Sequence, residues 1–382
     1  MFRPCIRLVG LACIGSALLV ASGASAAVLP EDRADVLYHR YDGGGVTVDG
    51  PSLLLRKKFD EKYSVSGNVY VDMVSSASID VMTTASPYTE ERTQGSLGFD
   101  LLQGKTQYSV SYTLSDESDY TANTASFDVS QDILGDLTTI SFGFSQGWDE
   151  VRKNGDSAFR EDVDRRNYRF GLQQILTPRL MMGLNYEVIT DEGFLNNPYR
   201  SVRFLDESSP RGFSFQPEAY PETRTSNAVA LNARYYLPYR AAVHGEYRYF
   251  TDTWGIDANT LSIGYTHPWG KRWIFEAGYR WYDQSAADFY SDLFDRPDQQ
   301  NFLARDKELS TFTSHTFSAG ATYELPAFGW DRLQRSTVNL FYDRITFEYD
   351  DFRDIRTGGA PGTEDLYGFD ADVFRLFISG WF

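Results

Sequence analysis

Apolar and polar residues alternate with a period of two along most of this chain. Between Thr106 and Leu114, Tyr108, Val110, Tyr112 and Leu114 interleave with Gln107, Ser109, Ser111 and Thr113, which predicts a strand with one apolar and one polar face. The pattern recurs in Val65–Met73, Leu97–Leu101, Ile140–Phe144, Leu180–Val188 and Val229–Leu237. It continues through Val243–Tyr249, Leu261–Tyr265, Trp273–Trp281, Phe317–Tyr323 and Val338–Tyr342. With Asp35–Tyr41, Val46–Lys57 and the terminal Phe374–Phe382, the reading reaches about sixteen strands, within a range of about 14–18. No segment reads as a long amphipathic helix.

The connections sort by length. Tight turns at Gln103–Lys105, Thr177–Arg179, Pro238–Arg240 and Pro268–Lys271 carry Pro and Gly, the residues short hairpins need. They alternate with longer, mostly acidic connections near 75–92, 149–164, 191–223, 284–308 and 349–368. Short turns at one end and long loops at the other predict an all-β, transmembrane, antiparallel up-and-down β-barrel, one domain over residues 27–382. A β-sandwich would not segregate its loops in this way. Aromatics gather where two interfacial girdles would need them. Tyr235, Tyr236, Tyr239, Trp269, Trp273, Tyr323 and Trp330 lie near short turns, and Tyr247, Tyr249, Trp254 and Trp281 near the other strand ends.

The two ends of the sequence agree with export to an outer membrane. Arg3 and Arg7 precede the apolar run Leu8–Val20, and Ala24-Ser25-Ala26 offers a small-residue cleavage site, so residues 1–26 read as a secretory signal peptide. Cys5 and Cys13 both fall inside it, which excludes thiol chemistry and disulfides from the mature chain. Phe374, Leu376, Ile378 and Phe382 share a face, as in the closing strand that barrel-assembly machinery reads; Gly380 stands where that signal usually has an aromatic. The net charge of −17 excludes a nucleic-acid partner. Aromatics at 15% argue for an ordered fold, and the mean hydropathy of −0.39 excludes helical spans. The expected surroundings are outer-membrane lipid.

Candidate chemistry follows from the strand parity. Arg234, Glu246, Arg248, Glu276, Arg280, Asp343 and Arg375 fall on the polar face, which points into the lumen. Their charges would either set a transverse field or pair off within a filled interior, since an unpaired charge there is costly. Tyr236, Phe250, Tyr282, Phe341, Phe377 and Trp381 share that parity, which favours the constricted interior. His39, His244, His267 and His315 form no metal-ligand spacing. Phe317 stands two residues after His315, where an outer-membrane phospholipase carries its Ser, and Ser314 and His315 fall on opposite faces. No catalytic constellation and no cofactor motif is found. Asp288, Asp292, Asp295 and Asp298, or Asp350, Asp351 and Asp354, could gather Ca²⁺ through oxygen ligands. Neither set has the spacing of a Ca²⁺ loop, and solvated acidic loops are the commoner explanation, so no metal is assigned.

Glu31–Lys58, Gly193–Arg203, Tyr247–Ile256 and Ala287–Ser310, with its element Ala304–Ser310, resemble a family of Gram-negative outer-membrane proteins, domain-of-unknown-function family 3570. The resemblance implies a barrel and an outer-membrane address. It implies no established activity and no catalytic residue. Several of these stretches fall in long loops. Asn196, Asn197, Pro198, Tyr199 and Arg200, with Arg305, Asp306, Lys307 and Glu308, would either plug or brace the barrel through Arg–carboxylate pairs or bind a ligand. The expected function is passage or binding of a small solute. The alternatives are a closed structural or docking barrel serving a periplasmic redox or maturation system, and an outer-membrane hydrolase.

Overall fold

The computed structural model describes residues 28–76, 88–326 and 333–382. The expected signal peptide, Trp330 and most of the connection near 75–92 lie outside the described residues. The strands are β1 (Arg33–Gly43), β2 (Val46–Phe59), β3 (Tyr63–Ser76), β4 (Tyr88–Gln103), β5 (Thr106–Asp116), β6 (Tyr120–Ile133), β7 (Thr138–Lys153), β8 (Asp156–Thr177) and β9 (Leu180–Gly193). They continue as β10 (Ser201–Leu205), β11 (Phe213–Pro217), β12 (Thr223–Tyr236), β13 (Ala242–Asp252), β14 (Asp257–Trp269), β15 (Trp273–Gln284), β16 (Phe312–Glu324), β17 (Arg335–Arg353) and β18 (Leu366–Trp381). Sixteen of them close an antiparallel barrel, while β10 and β11 form a separate hairpin between β9 and β12.

Closure is made by β1 against β18, in register from Arg33↔Trp381 to Gly43↔Ala371. Pairing the two terminal strands leaves no open sheet edge, which hydrocarbon would not tolerate. Period-two alternation then fixes the register, because a one-residue slip would turn every apolar side chain inward. Val36, Leu53, Val69, Leu97, Val110, Leu231, Ile263 and Ile378 all face outward and exposed, and Leu97 keeps 69% of its surface. In water such a belt would be a severe liability; it is the outer surface of a transmembrane barrel.

Tyrosines border the belt on the side of the long loops. Tyr38, Tyr112, Tyr186, Tyr247 and Tyr342 donate to Asp49, Asn123, Asn227, Asn259 and Asp372 on neighbouring strands, at 2.6–2.8 Å. Each ring stays in the belt while its hydroxyl leaves it. At the opposite border Tyr235, Tyr239, Trp269 and Trp273 are exposed. Trp254 departs from the expected girdle: it is buried beneath the loops, packed on Tyr220 and Phe289.

The connection expected near 149–164 is strand. β7 runs to Lys153 and β8 begins at Asp156, and Asp149↔Val163 and Glu150↔Asp162 are paired. Its outward face is polar there, while Asp149, Val151 and Val163 on the inner face are buried, so two apolar residues and several charges shared too short a stretch to show an alternating pattern. Polarity alone therefore did not distinguish a loop from a protruding wall.

Candidate functional site

Opposite the belt, the register sends a second row of residues into the lumen. Arg234, Glu246, Arg248, Glu276, Arg280, Asp343 and Arg375 all belong to it, since each alternates with outward apolar neighbours on its strand. Arg375 pairs with Asp343 at 2.6 Å, beside the stacked rings of Phe341 and Phe377. Arg248 reaches Glu187 on β9 at 3.5 Å. Arg280 lies over the Tyr282 ring. The lumen thus holds interleaved charges of both signs together with aromatic rings.

Nearer the long loops the lumen wall carries two tighter networks. His39 Nε2 lies 2.8 Å from Asp72, whose other oxygen accepts from Arg92 at 2.5 Å; Tyr70 stacks on the imidazole. Further round, Asp149 accepts from Arg165 at 2.8 Å and from the Tyr120 hydroxyl. Of these residues the sequence pattern marks only His39, as one of four histidines without metal-ligand spacing. Inward parity was the available signal, because Asp72, Arg92, Asp149 and Arg165 all sit on it.

Above them the long loops fold into a cap. Its apolar centre is Tyr220, Trp254, Ile256, Ala287, Phe289, Ala304 and Leu309, with the Tyr220, Trp254 and Phe289 rings in mutual contact at 5.2–5.5 Å. Beside it Arg203 on β10 is completely buried. Its guanidinium donates to Glu364 at 2.5 Å and 3.1 Å, to the Asp292 carbonyl at 2.9 Å, and to the Asp292 carboxylate. Arg305 grips the other Asp292 oxygen at 2.9 Å and lies over the Phe352 ring. Two carboxylates, Asp292 and Glu364, and two arginines therefore tie together the β9–β12, β15–β16 and β17–β18 connections. Burial opposes the charge on Glu364, but the bonds from Arg203 and the backbone outweigh it and hold its pKa below the usual range.

The loop residues singled out in the sequence converge here. Arg200 forms an ion pair with Asp306, which also caps the short 3-10 turn Lys307–Leu309 by accepting from the Glu308 amide at 2.9 Å. The Glu308 carbonyl accepts from Gln284 at 3.0 Å. Asn196 bonds the Glu218 carbonyl and the Tyr220 amide, and Asn197 bonds the Tyr199 amide. The Tyr199 hydroxyl accepts from the Asn154 amide at 2.6 Å, joining the cap to the β7–β8 hairpin. Asn154 continues to Ser118, and Ser118 to Glu90. The chain of bonds runs from β17–β18 round to β4.

The aspartates considered for Ca²⁺ do not gather around one point. Asp292 is taken by arginines, Asp354 bonds Arg356, and Asp351 accepts from the Thr311 amide. Among the described residues the carboxylates that do converge are Glu90, Glu117 and Asp119, with oxygens within 4.8 Å of one another. Burial is the main cause that lifts the Glu117 carboxyl to about 7; Arg92 opposes it, and Glu90 and Asp119 reinforce it. Ser314 faces the lumen, whereas His315 faces outward and bonds the Tyr279 hydroxyl at 2.8 Å.

No curated protein matches the chain. Among solved structures, a bacterial polysaccharide outer membrane secretin is 9% identical, with 93% of this chain and 100% of that one covered and a TM-score of 0.49. A FadL homologue of Pseudomonas aeruginosa is 11% identical over 94% and 92%, with a TM-score of 0.45. The P. putida toluene transporter TodX is 10% identical over 96% and 94%, with a TM-score of 0.44. These likenesses concern overall fold and carry no functional argument. The description "Protein of unknown function (DUF3570)" matches residues 9–334, from before β1 to just short of β17, and with most of its length so matched the chain belongs to that family.

Proposed function

We propose that the protein resides in the outer membrane, with its short turns toward the periplasm and its long loops outside, and that it passes or binds a small polar or amphiphilic solute. The outward belt with its bordering tyrosines supports the address, since such a surface is stable only against hydrocarbon. Loop lengths support the orientation. The observation that carries the solute reading is the contrast between a lumen of mixed charges and rings and a mouth covered by a cap with its own core. A barrel serving only as a wall would need no interior lined by charges and aromatic rings.

We also read the protein as a non-enzyme, supported by the opposite facing of Ser314 and His315, which keeps base and nucleophile apart. Purified protein in planar bilayers tests the solute reading. Wild-type barrels should give small, infrequent conductance steps, and Arg203→Ala should raise open probability several-fold by freeing three connections. Silence from both, with the barrel folded, overturns solute passage and leaves binding to be tested by titration.

A further inference from the structure

Three adjacent turns at the short-turn end carry cations and no carboxylate: Arg179 between β8 and β9, Arg240 between β12 and β13, and Lys271 with Arg272 between β14 and β15. All four are exposed, and none forms an ion pair among the described residues. Among the described residues, the carboxylates bordering this sector are occupied or turned elsewhere. Asp136, in the turn before β7, is paired with Lys105 at 2.5 Å. Glu324 gives its backbone amide to the Arg272 carbonyl, but its side chain follows the inward parity of β16 and makes no ion pair with Arg272. In a chain of net charge −17, four unneutralised cations on neighbouring turns are a strong local exception.

Aromatic surface lies directly below them. Trp269 and Trp273 flank the Lys271–Arg272 turn, both exposed toward the outside of the barrel. Trp273 stacks on Phe275 at 5.6 Å and touches Tyr323 at 4.6 Å, so it is a rigid ledge. Cations at headgroup height above rings at the level of the upper acyl chains complement a lipid with an anionic phosphate and no compensating amine. Resting on the membrane orientation proposed above, we infer that this β8–β15 sector is a binding surface for anionic phospholipid of the periplasmic leaflet. Each Lys or Arg held at an anionic surface strengthens association about five-fold, so the four together predict a preference of at least about ten-fold after screening.

The test is tryptophan quenching by brominated lipid in vesicles of phosphatidylcholine and phosphatidylglycerol, using full-length mature protein refolded into them. At equal mole fraction, brominated phosphatidylglycerol should quench more than brominated phosphatidylcholine, and the excess should vanish in the Trp269→Phe, Trp273→Phe variant. The variant Arg179→Gln, Arg240→Gln, Lys271→Gln, Arg272→Gln should lose the preference, while Arg179→Lys, Arg240→Lys, Arg272→Lys should keep it. Heat-modifiable migration reports that each variant has folded. Equal quenching by both lipids in the wild type overturns the proposal, as does a preference that survives the four Gln substitutions in folded protein. A quadruple variant that does not fold leaves the Trp-to-Phe and Lys variants to decide by the same criteria. Quenching by neither lipid instead overturns the membrane reading itself, and this surface falls with it.

Discussion

The two ends of the barrel are built on different principles. At the turn end the strands are joined by connections such as Gly104-Lys105 and Pro178-Arg179, held by local backbone bonds and by exposed pairs such as Lys105–Asp136. At the loop end residues far apart in sequence meet, as when Arg203 binds Glu364 across 161 positions. The first end is closed by turn chemistry and costs little to perturb. The second is a small domain with its own core, and its order depends on a few buried groups. Charge is handled differently too: the Arg179, Arg240 and Lys271–Arg272 turns carry cations without ion pairs among the described residues, while in the cap the acidic Asp292, Asp306 and Glu364 are paired with arginines.

That contrast would be broken most severely at Arg203. Its replacement by Ala leaves Asp292 and Glu364 buried with part of their charge unmatched, a loss of about 3–5 kcal/mol. Limited proteolysis should then cut the 194–222 and 285–311 connections while the barrel stays heat-modifiable. Trp254→Ala should cost a comparable or slightly smaller amount, about 3–5 kcal/mol for emptying an aromatic site, read as faster hydrogen exchange at Ala287–Ala304 only. If either change unfolded the barrel as a unit, the cap would not be a separate layer.

Leu97→Arg sits on the belt between the two ends and should destabilise the inserted barrel by about 2–4 kcal/mol, measured by denaturant titration in vesicles, without exposing the cap. A pH effect is expected at the loop end. Glu117 has its folded pKa raised from 4.5 to about 7, so its contribution to stability is fully present below pH 4.5 and is lost as pH rises toward 7. Glu117→Gln should flatten the pH dependence of loop-end protection across that window; an unchanged slope would show that another group sets it. The smallest effect belongs to the turn end, where Lys105→Ala should cost no more than about 1 kcal/mol by the same denaturant titration.

Legibility in the sequence tracked how local each feature is. The strand from Thr106 to Leu114 announced itself because its inward and outward environments differ at every step. The lumen set from Arg234 to Arg375 followed from that parity alone. Arg203, by contrast, lay inside a stretch singled out only for its resemblance, and nothing in its neighbourhood marked it as fully buried. Asp292 read as one of several acidic loop residues. The β7–β8 hairpin read as a loop because its outward residues are polar and its buried inner face mixes Asp149 with Val151 and Val163, leaving no clear apolar period.

The sequence by itself therefore determined the barrel: alternation set which face meets hydrocarbon, and Gly and Pro set where the chain reverses. Those are constraints between residues one to a few positions apart. Only the tertiary structure decided the cap, the pairing of its arginines and the gathering of the Arg179, Arg240 and Lys271–Arg272 turns into one sector. Each of these depends on closure bringing β1 to β18, and three distant connections to one mouth. Charge and polarity along a loop are the same whether it is solvated or folded over a core, so that choice is made by partners the local sequence does not contain.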